Sequence, residues 1–482
     1  MSIVKNLSFN LLNQIVTIVI PLLTIPYISR ILGPENIGII GFSISFPIYF
    51  SVFANLGIQI YGSREVAKLK DNKQKRDKLF SELFLLTILS SLLSSIGFLL
   101  TIFFIENENI NKFFLLVAGI PLYISSLSID WYYSGREKFK MIAFRSITVK
   151  LISVILIFSI IKNENDTLFY LGISVFSVAI NNIWNFSYLI VKELSISFRK
   201  ISLVTHIRPM FVLLSTALAV NVYTTLDTVV LGFFSSFSEV GYYHSAIRIS
   251  RLLLPFAVVT TAVLVPKISY EFSKKNFDKF NEYLNKSFSL ISFFAVPMCV
   301  GVYVSAESFV PFFFGPEFFP VIEILQILSL IMFLVGLSNF FGIQVLTSIG
   351  MESKLLIAII IGALINLGLN LIFIPRFGAI AAASASVIAE FIILIMTVIM
   401  TIKYTNVRVK WFEIIKSFIC CLPMIFSFYL SRMIFTVDLH RFIFLALFGG
   451  FSYIVSQQII FKNKLLSEFT NKLKILNKKT WI

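Results

Sequence analysis

Runs of about eighteen or more apolar residues recur along this chain from Phe9 to Phe461, and no other feature constrains its fold as strongly. Each run can cross a hydrocarbon core of about 30 Å at about 1.5 Å per residue. A soluble core could not absorb them all. Only 14% of the residues are charged, against roughly a quarter in ordinary soluble proteins, and mean hydropathy is +0.89. The sequence therefore reads as an all-α integral membrane protein.

Apolar runs and polar breaks predict about fourteen transmembrane helices, at 9–29, 37–62, 80–105, 113–133, 139–161, 168–191, 209–233, 240–266, 287–314, 321–349, 355–375, 378–402, 412–435 and 442–461. The first run follows a single lysine, Lys5, is longer than a signal peptide's apolar region and lacks a small-x-small cleavage site. It is read as a retained helix. Cys299, Cys420 and Cys421 fall inside predicted spans, with neither a CxxC nor a Cys/His ligand set, so neither disulfides nor structural zinc is expected.

The net charge of +16 would suggest nucleic acid in a soluble chain. Its distribution says otherwise. One set of loops, with a basic tail at 462–482, holds about thirty Lys and Arg, and the opposite set holds about five: Arg30, Lys112, Lys162, Arg376 and Arg441. The positive-inside rule places both termini in the cytoplasm. No nucleic-acid partner is expected, and attraction of the basic loops to anionic lipid accounts for the charge. The opposite loops, such as ENENINK at 106–112 and GPEFFP at 315–320, are too short to hold a catalytic domain.

An internal repeat is legible. LGPENIGIIGFSISF precedes a basic loop at Arg64, and FSSFSEVGYYHSAIRI precedes one at Lys267. Gly38 to Gly241 and Arg64 to Lys267 share one offset (241 − 38 = 203; 267 − 64 = 203). The expected organisation is two six-helix lobes, 1–200 and 201–403, then a helix pair at 404–461 and the tail. Duplicated bundles of this kind are common in transporters.

Ionisable residues inside membrane spans are costly and usually face a bundle interior or a wet cavity. In the eighth span Gly241, His244, Arg248, Arg251 and Pro255 share one helical face, with the arginines about 12 to 17 Å below the outer end. Asp227 lies at a similar depth across a short hairpin and is a candidate partner for Arg248. Arg145 and Lys150 mark the fifth span, with Asp130 a candidate partner for one of them. Arg30 ends the first span, and Glu390 sits mid-span, as an ion-coupling carboxylate or a structural partner to a cation. Subtracting 203 from His244, Arg248 and Arg251 gives Gly41, Ser45 and Ile48, so only one copy of the repeat carries the charges. The deep balance is cationic, which selects an anionic substrate head, and the arginine fork suits phosphate.

His206, His244 and His440 are far apart and no paired-carboxylate motif occurs, so no enzyme constellation is visible. A channel stays open as a reading, but there is no filter-like glycine or carbonyl motif, and the duplicated bundle favours alternating access.

NLLNQIVTIVIPLLTIPYISRILGPENIGIIGF, then GIQIYGSR at 57–64 and LDTVVLGFFSSFSEVGYYHSAIRI at 226–249, resemble the polysaccharide-biosynthesis flippases of the multidrug/oligosaccharidyl-lipid/polysaccharide exporter superfamily. The resemblance implies a fourteen-helix, two-lobe fold in a bacterial inner membrane. It implies a flippase, not an enzyme, which moves undecaprenyl-diphosphate-linked oligosaccharide repeat units to the outer leaflet by alternating access, for O-antigen or capsule assembly. A polysaccharide polymerase and glycosyltransferases are the protein partners this implies. Arg30, Asp227 and Arg248 match family elements position by position, whereas Arg251, Lys150 and Glu390 rest on depth alone. No cofactor is implied beyond a coupling ion, H+ or Na+. Still open are a cation-coupled multidrug exporter of the same superfamily and a flippase for a peptidoglycan or teichoic-type precursor.

Overall fold

A computed structural model describes residues 3–69, 72–192, 201–258 and 261–461. The basic tail, part of the basic loop at 193–200 and two residues of the eighth predicted span, 259–260, lie outside the described residues. Those residues form helices throughout, with no strand among them. They cluster into two compact units, 1–244 and 245–482.

The first unit begins with α1 (Ile3–Asn55), which joins the first two predicted spans across Gly33. At 53 residues α1 would reach about 80 Å if straight, far beyond one bilayer crossing. Gly33 takes φ 71° and ψ 172°, a conformation open to glycine but strained for other residues. Pro34 restricts Gly33 to extended ψ and then starts the second limb. Ile28 and Leu32 before the break share one apolar cluster with Ile40 after it.

After α2 (Ile58–Lys68), α3 (Lys73–Phe104) starts at Asn72, whose side chain accepts from the Lys75 N–H. The fourth predicted span is not one helix. It breaks into α4 (Lys112–Ala118), α5 (Ile120–Tyr123) and α6 (Asp130–Gly135), with a short 3-10 turn at Ser125–Leu127. Pro121 has no N–H to give, and its ring opposes the carbonyl of residue 117. The pieces turn Trp131 and Tyr132 inward against Phe80, whose ring stacks on Trp131 at 5.5 Å.

Next come α7 (Phe139–Ile160) and α8 (Thr167–Lys192), joined by a tight turn in which Asn163 and Asp166 form a reciprocal cap. Backbone N–H groups of Lys162 and Asn163 donate to Asp166 and hold its carboxyl below the usual range. The unit closes with α9 (Val204–Phe234) and the first part of α10 (Phe237–Ala257).

The second unit takes the rest of α10 and then α11 (Thr261–Ser273), which carry most of the eighth predicted span. It continues through α12 (Phe277–Phe313), α13 (Val321–Asn339), α14 (Glu352–Tyr404), α15 (Phe412–Cys420), α16 (Leu422–Ile434), α17 (Asp438–Phe444) and α18 (Gly450–Phe461). As in α1, one glycine breaks a 53-residue helix: Gly378 takes φ 53° and ψ −131° within α14. A Cβ on Gly362 would lie 2.5 Å from Ile393 and 3.4 Å from the Ala389 carbonyl, so the limbs of α14 pack on each other.

Wider π turns occupy Phe340–Leu346 and Leu445–Gly449. The first turns Gln344 into a buried network, where its amide donates to Thr261 and its carbonyl accepts from Ser287. The cysteines are buried thiols, with Cys420 and Cys421 packed around Tyr453 and Met424.

By length and apolarity, nine segments among the described residues can cross a membrane. Their outer faces are apolar: Phe103 is 75% exposed and Met433 86%. Such surface is stable only against lipid, and the chain is a multi-pass membrane protein.

Candidate functional site

The two glycines that define the repeat meet. Gly38, on the second limb of α1, and Gly241, on α10, lie where these helices cross. A Cβ on Gly38 would stand 1.7 Å from the Phe237 carbonyl oxygen, and one on Gly241 would stand 1.9 Å from that of Pro34. Phe237 and Pro34 are themselves one repeat apart (237 − 34 = 203). The crossing is therefore a local pseudo-twofold, each bare glycine facing the carbonyl four residues before the other. Only small residues let membrane helices approach so closely.

The next turn explains an asymmetry in the sequence. A Cβ on Gly41 would lie 2.9 Å from the His244 ring, and these two are also repeat mates (244 − 41 = 203). One copy carries the imidazole and the other leaves room for it. Phe42 flanks this seam, with ring centroids 5.4 Å from Phe233 and 5.9 Å from Phe237.

Beside the seam Asp227 is 3% exposed. The Tyr243 hydroxyl, four residues past Glu239 on α10, donates to its Oδ2 at 2.5 Å. A buried carboxylate needs such donors. Arg30 is exposed at the end of the first limb of α1, three residues before Gly33.

Arg145 and Lys150, one helical turn and a half apart on α7, have different partners. The Arg145 guanidinium donates to Asp130 Oδ1 at 2.7 Å and to Asn181 Oδ1 at 2.7 Å. Asn185 donates to the same Asp130 oxygen at 2.6 Å. Of the two cations, Asp130 thus neutralises Arg145. The Lys150 ammonium instead donates to the Thr17 hydroxyl on α1 at 2.6 Å, and Thr17 donates on to the Asn13 carbonyl. The groups along this chain from Lys150 are neutral. Thr17, Asn181 and Asn185 were not singled out in the sequence, although polar residues inside apolar runs were the available signal.

In the second unit Arg248 is half-buried and Arg251 exposed on α10. Glu390 is 8% exposed, and its Oε2 accepts from the Ser338 hydroxyl at 3.4 Å. Asn366 and Asn370 are fully buried on the first limb of α14. The Asn370 amide donates to the Asn366 Oδ1 one turn earlier at 3.2 Å. This buried polar layer was also unread in the sequence, though the pair sits at i, i+4 in LINLGLNLIF. Among the described residues, no three His, Cys, Asp or Glu converge as metal ligands.

The arrangement offers fixed cations, a buried carboxylate and close-packed helix crossings rather than a nucleophile and base. A family model described as "Polysaccharide biosynthesis protein" matches residues 3–272, more than half of the chain. An Escherichia coli (strain K12) protein described as "Putative O-antigen transporter" is 26% identical over 380 residues, covering 74% of this chain and 87% of that one. A Haloferax volcanii protein described as "Probable low-salt glycan biosynthesis flippase Agl15" is 26% identical over 35% of each chain.

Among solved structures, "Lipid II flippase MurJ, inward closed conformation" superposes with a TM-score of 0.75 at 20% identity, over 96% of this chain and 100% of that one. An inward-facing multidrug transporter of the MATE family and MOP superfamily gives 0.59 at 14% identity, over 84% and 97%. These likenesses establish the fold, and the relatives are transporters and flippases rather than catalysts. The chain belongs to the polysaccharide biosynthesis protein family.

Proposed function

We propose that this protein is a flippase that carries a polyprenyl-diphosphate-linked oligosaccharide from the cytoplasmic to the outer leaflet of a bacterial inner membrane, by alternating access. The observation that carries the reading is the set of cations on these helices: Lys150 on α7, which is long and apolar enough to cross a membrane, and Arg248 and Arg251 on α10, the helix of the eighth span predicted from the sequence. Cations at such depth favour an anionic ligand, and a diphosphate supplies the acceptors that arginine forks engage. Arg145 is ion-paired with Asp130, and the head group is assigned to Lys150, Arg248 and Arg251, with Arg30 and His244 nearer the outer end. The names of the relatives support this class of cargo, and the MurJ-like fold is consistent with it. The polyprenyl tail stays in lipid while the glycan passes through the protein.

Glu390 is assigned as the carboxylate that couples transport to H+ or Na+. A polymerase and glycosyltransferases are the partners of such a cargo. Pairing of Asp227 with Arg248 also belongs to the proposal, and a double-mutant cycle at the two positions measures it. The principal experiment combines Arg248→Ala with Arg251→Ala and follows surface glycan in cells. Loss of glycan at normal protein level is expected, and normal glycan would overturn the cationic-site reading.

A further inference from the structure

Two cavities of the first unit, of about 450 and 400 Å³, share Trp184 as a common wall along the α7–α8 hairpin. The larger is lined by apolar side chains that include Ile152, Leu156, Phe169 and Phe176, all substantially exposed. Gly172 forms part of its floor, and a Cβ there would meet nothing closer than Phe176 at 3.9 Å. The smaller cavity has a different character. Lys140, Arg145, Asn185 and the rings of Tyr133, Trp184 and Tyr188 line it. From Leu168 to Tyr188 the two lie along 20 residues of α8 (188 − 168 = 20), about 30 Å, the thickness of a hydrocarbon core.

The geometry points to a binding site for an anionic glycerophospholipid, its phosphate at Lys140 and Arg145 and an acyl chain along the apolar groove. Charge complementarity selects this occupant. Asp130 offsets Arg145, which leaves the exposed Lys140 ammonium as unbalanced positive charge at the rim. The Arg145 guanidinium is 6% exposed and is held in place by Asp130 and Asn181, so it is preorganised. Basic pockets between membrane helices, walled by Trp and Tyr, suit anionic head groups at the interface. The buried Tyr133 and half-buried Tyr188 close the head end to a bulky glycan, so a substrate carrying an oligosaccharide is the poorer fit. The site does not depend on what the protein transports.

The test uses the purified full-length protein in phosphatidylcholine nanodiscs, with bromine-labelled acyl chains quenching Trp184 on contact. The Trp184→Phe variant isolates its signal from the three other tryptophans. Labelled phosphatidylglycerol should quench Trp184 at a lower mole fraction than labelled phosphatidylcholine. Lys140→Gln should raise the half-quenching fraction about fivefold, and Gly172→Leu, which fills the groove, should remove the preference without unfolding the helix. Equal quenching by the two lipids would show ordinary annular contact and overturn the proposal. So would full displacement of labelled phosphatidylglycerol by equimolar polyprenyl phosphate, which would assign the groove to a carrier lipid.

Discussion

The Gly241→Ala substitution adds one methyl group where the structure has no space. The new Cβ would sit 1.9 Å from the Pro34 carbonyl oxygen and 2.8 Å from its carbon. Real Cβ contacts do not fall below 3.0 Å, so the crossing helices must part by about 1.1 Å (3.0 − 1.9 = 1.1). No rotamer relieves this, because both partners are backbone. Overpacking of this kind costs about 1–3 kcal/mol, which lowers the population of the closed seam by roughly 5- to 150-fold.

A reporter lies about two turns past Gly38: Ser45 is 6% exposed, and Ser45→Cys is a near-isosteric change. In membranes, with the three native cysteines replaced, an impermeant maleimide should label Cys at 45 faster in the Gly241→Ala background. Gly368→Ala is the control, since a Cβ there meets nothing within 4 Å. Equal labelling rates in the Gly241→Ala and control proteins, at equal protein levels, would refute the reasoning.

Two further outcomes follow from the buried charges. Asp130→Ala leaves Arg145 without its carboxylate, which should cost about 2–3 kcal/mol, below the ~3–5 kcal/mol of a fully buried pair because the Asp130 side chain is 36% exposed; adding Arg145→Leu should restore part of the thermal stability in detergent, and no restoration would argue against the pair. Glu390→Gln keeps the shape of a buried side chain and removes its charge, so transport should lose its dependence on an imposed H+ or Na+ gradient; an unchanged dependence would remove Glu390 from the coupling role.

The apolar runs made the membrane class legible, and the offset between Gly38 and Gly241 anticipated a symmetry that the structure expresses as a contact. Periodicity cannot show that repeat mates touch each other. That depends on the helix crossing, and hence on how tightly Gly33 and Pro34 turn α1. The fourth span misled because hydropathy averages over Gly119 and Pro121, whose backbone chemistry breaks the helix while the surrounding side chains stay apolar. Depth identified Arg145 and Lys150 as residues in need of partners, but partner choice depends on rotation about α7. That rotation points one at Asp130 and the other at Thr17. Asn366 and Asn370 went unread because their burial depends on the fold-back at Gly378, which packs the second limb of α14 against the first.

The central claim is transport of a lipid-linked glycan, and the most direct measurement reconstitutes the purified protein in liposomes with a polyprenyl-diphosphate-linked oligosaccharide. Glycan in the outer leaflet is cleaved by an added impermeant glycosidase, so protected substrate reports the inner leaflet. With the protein present, nearly all substrate should become cleavable over time, whereas Arg248→Ala with Arg251→Ala should leave about half protected, as in protein-free vesicles. Persistent protection with the unaltered protein, under either a proton or a sodium gradient, would contradict the account.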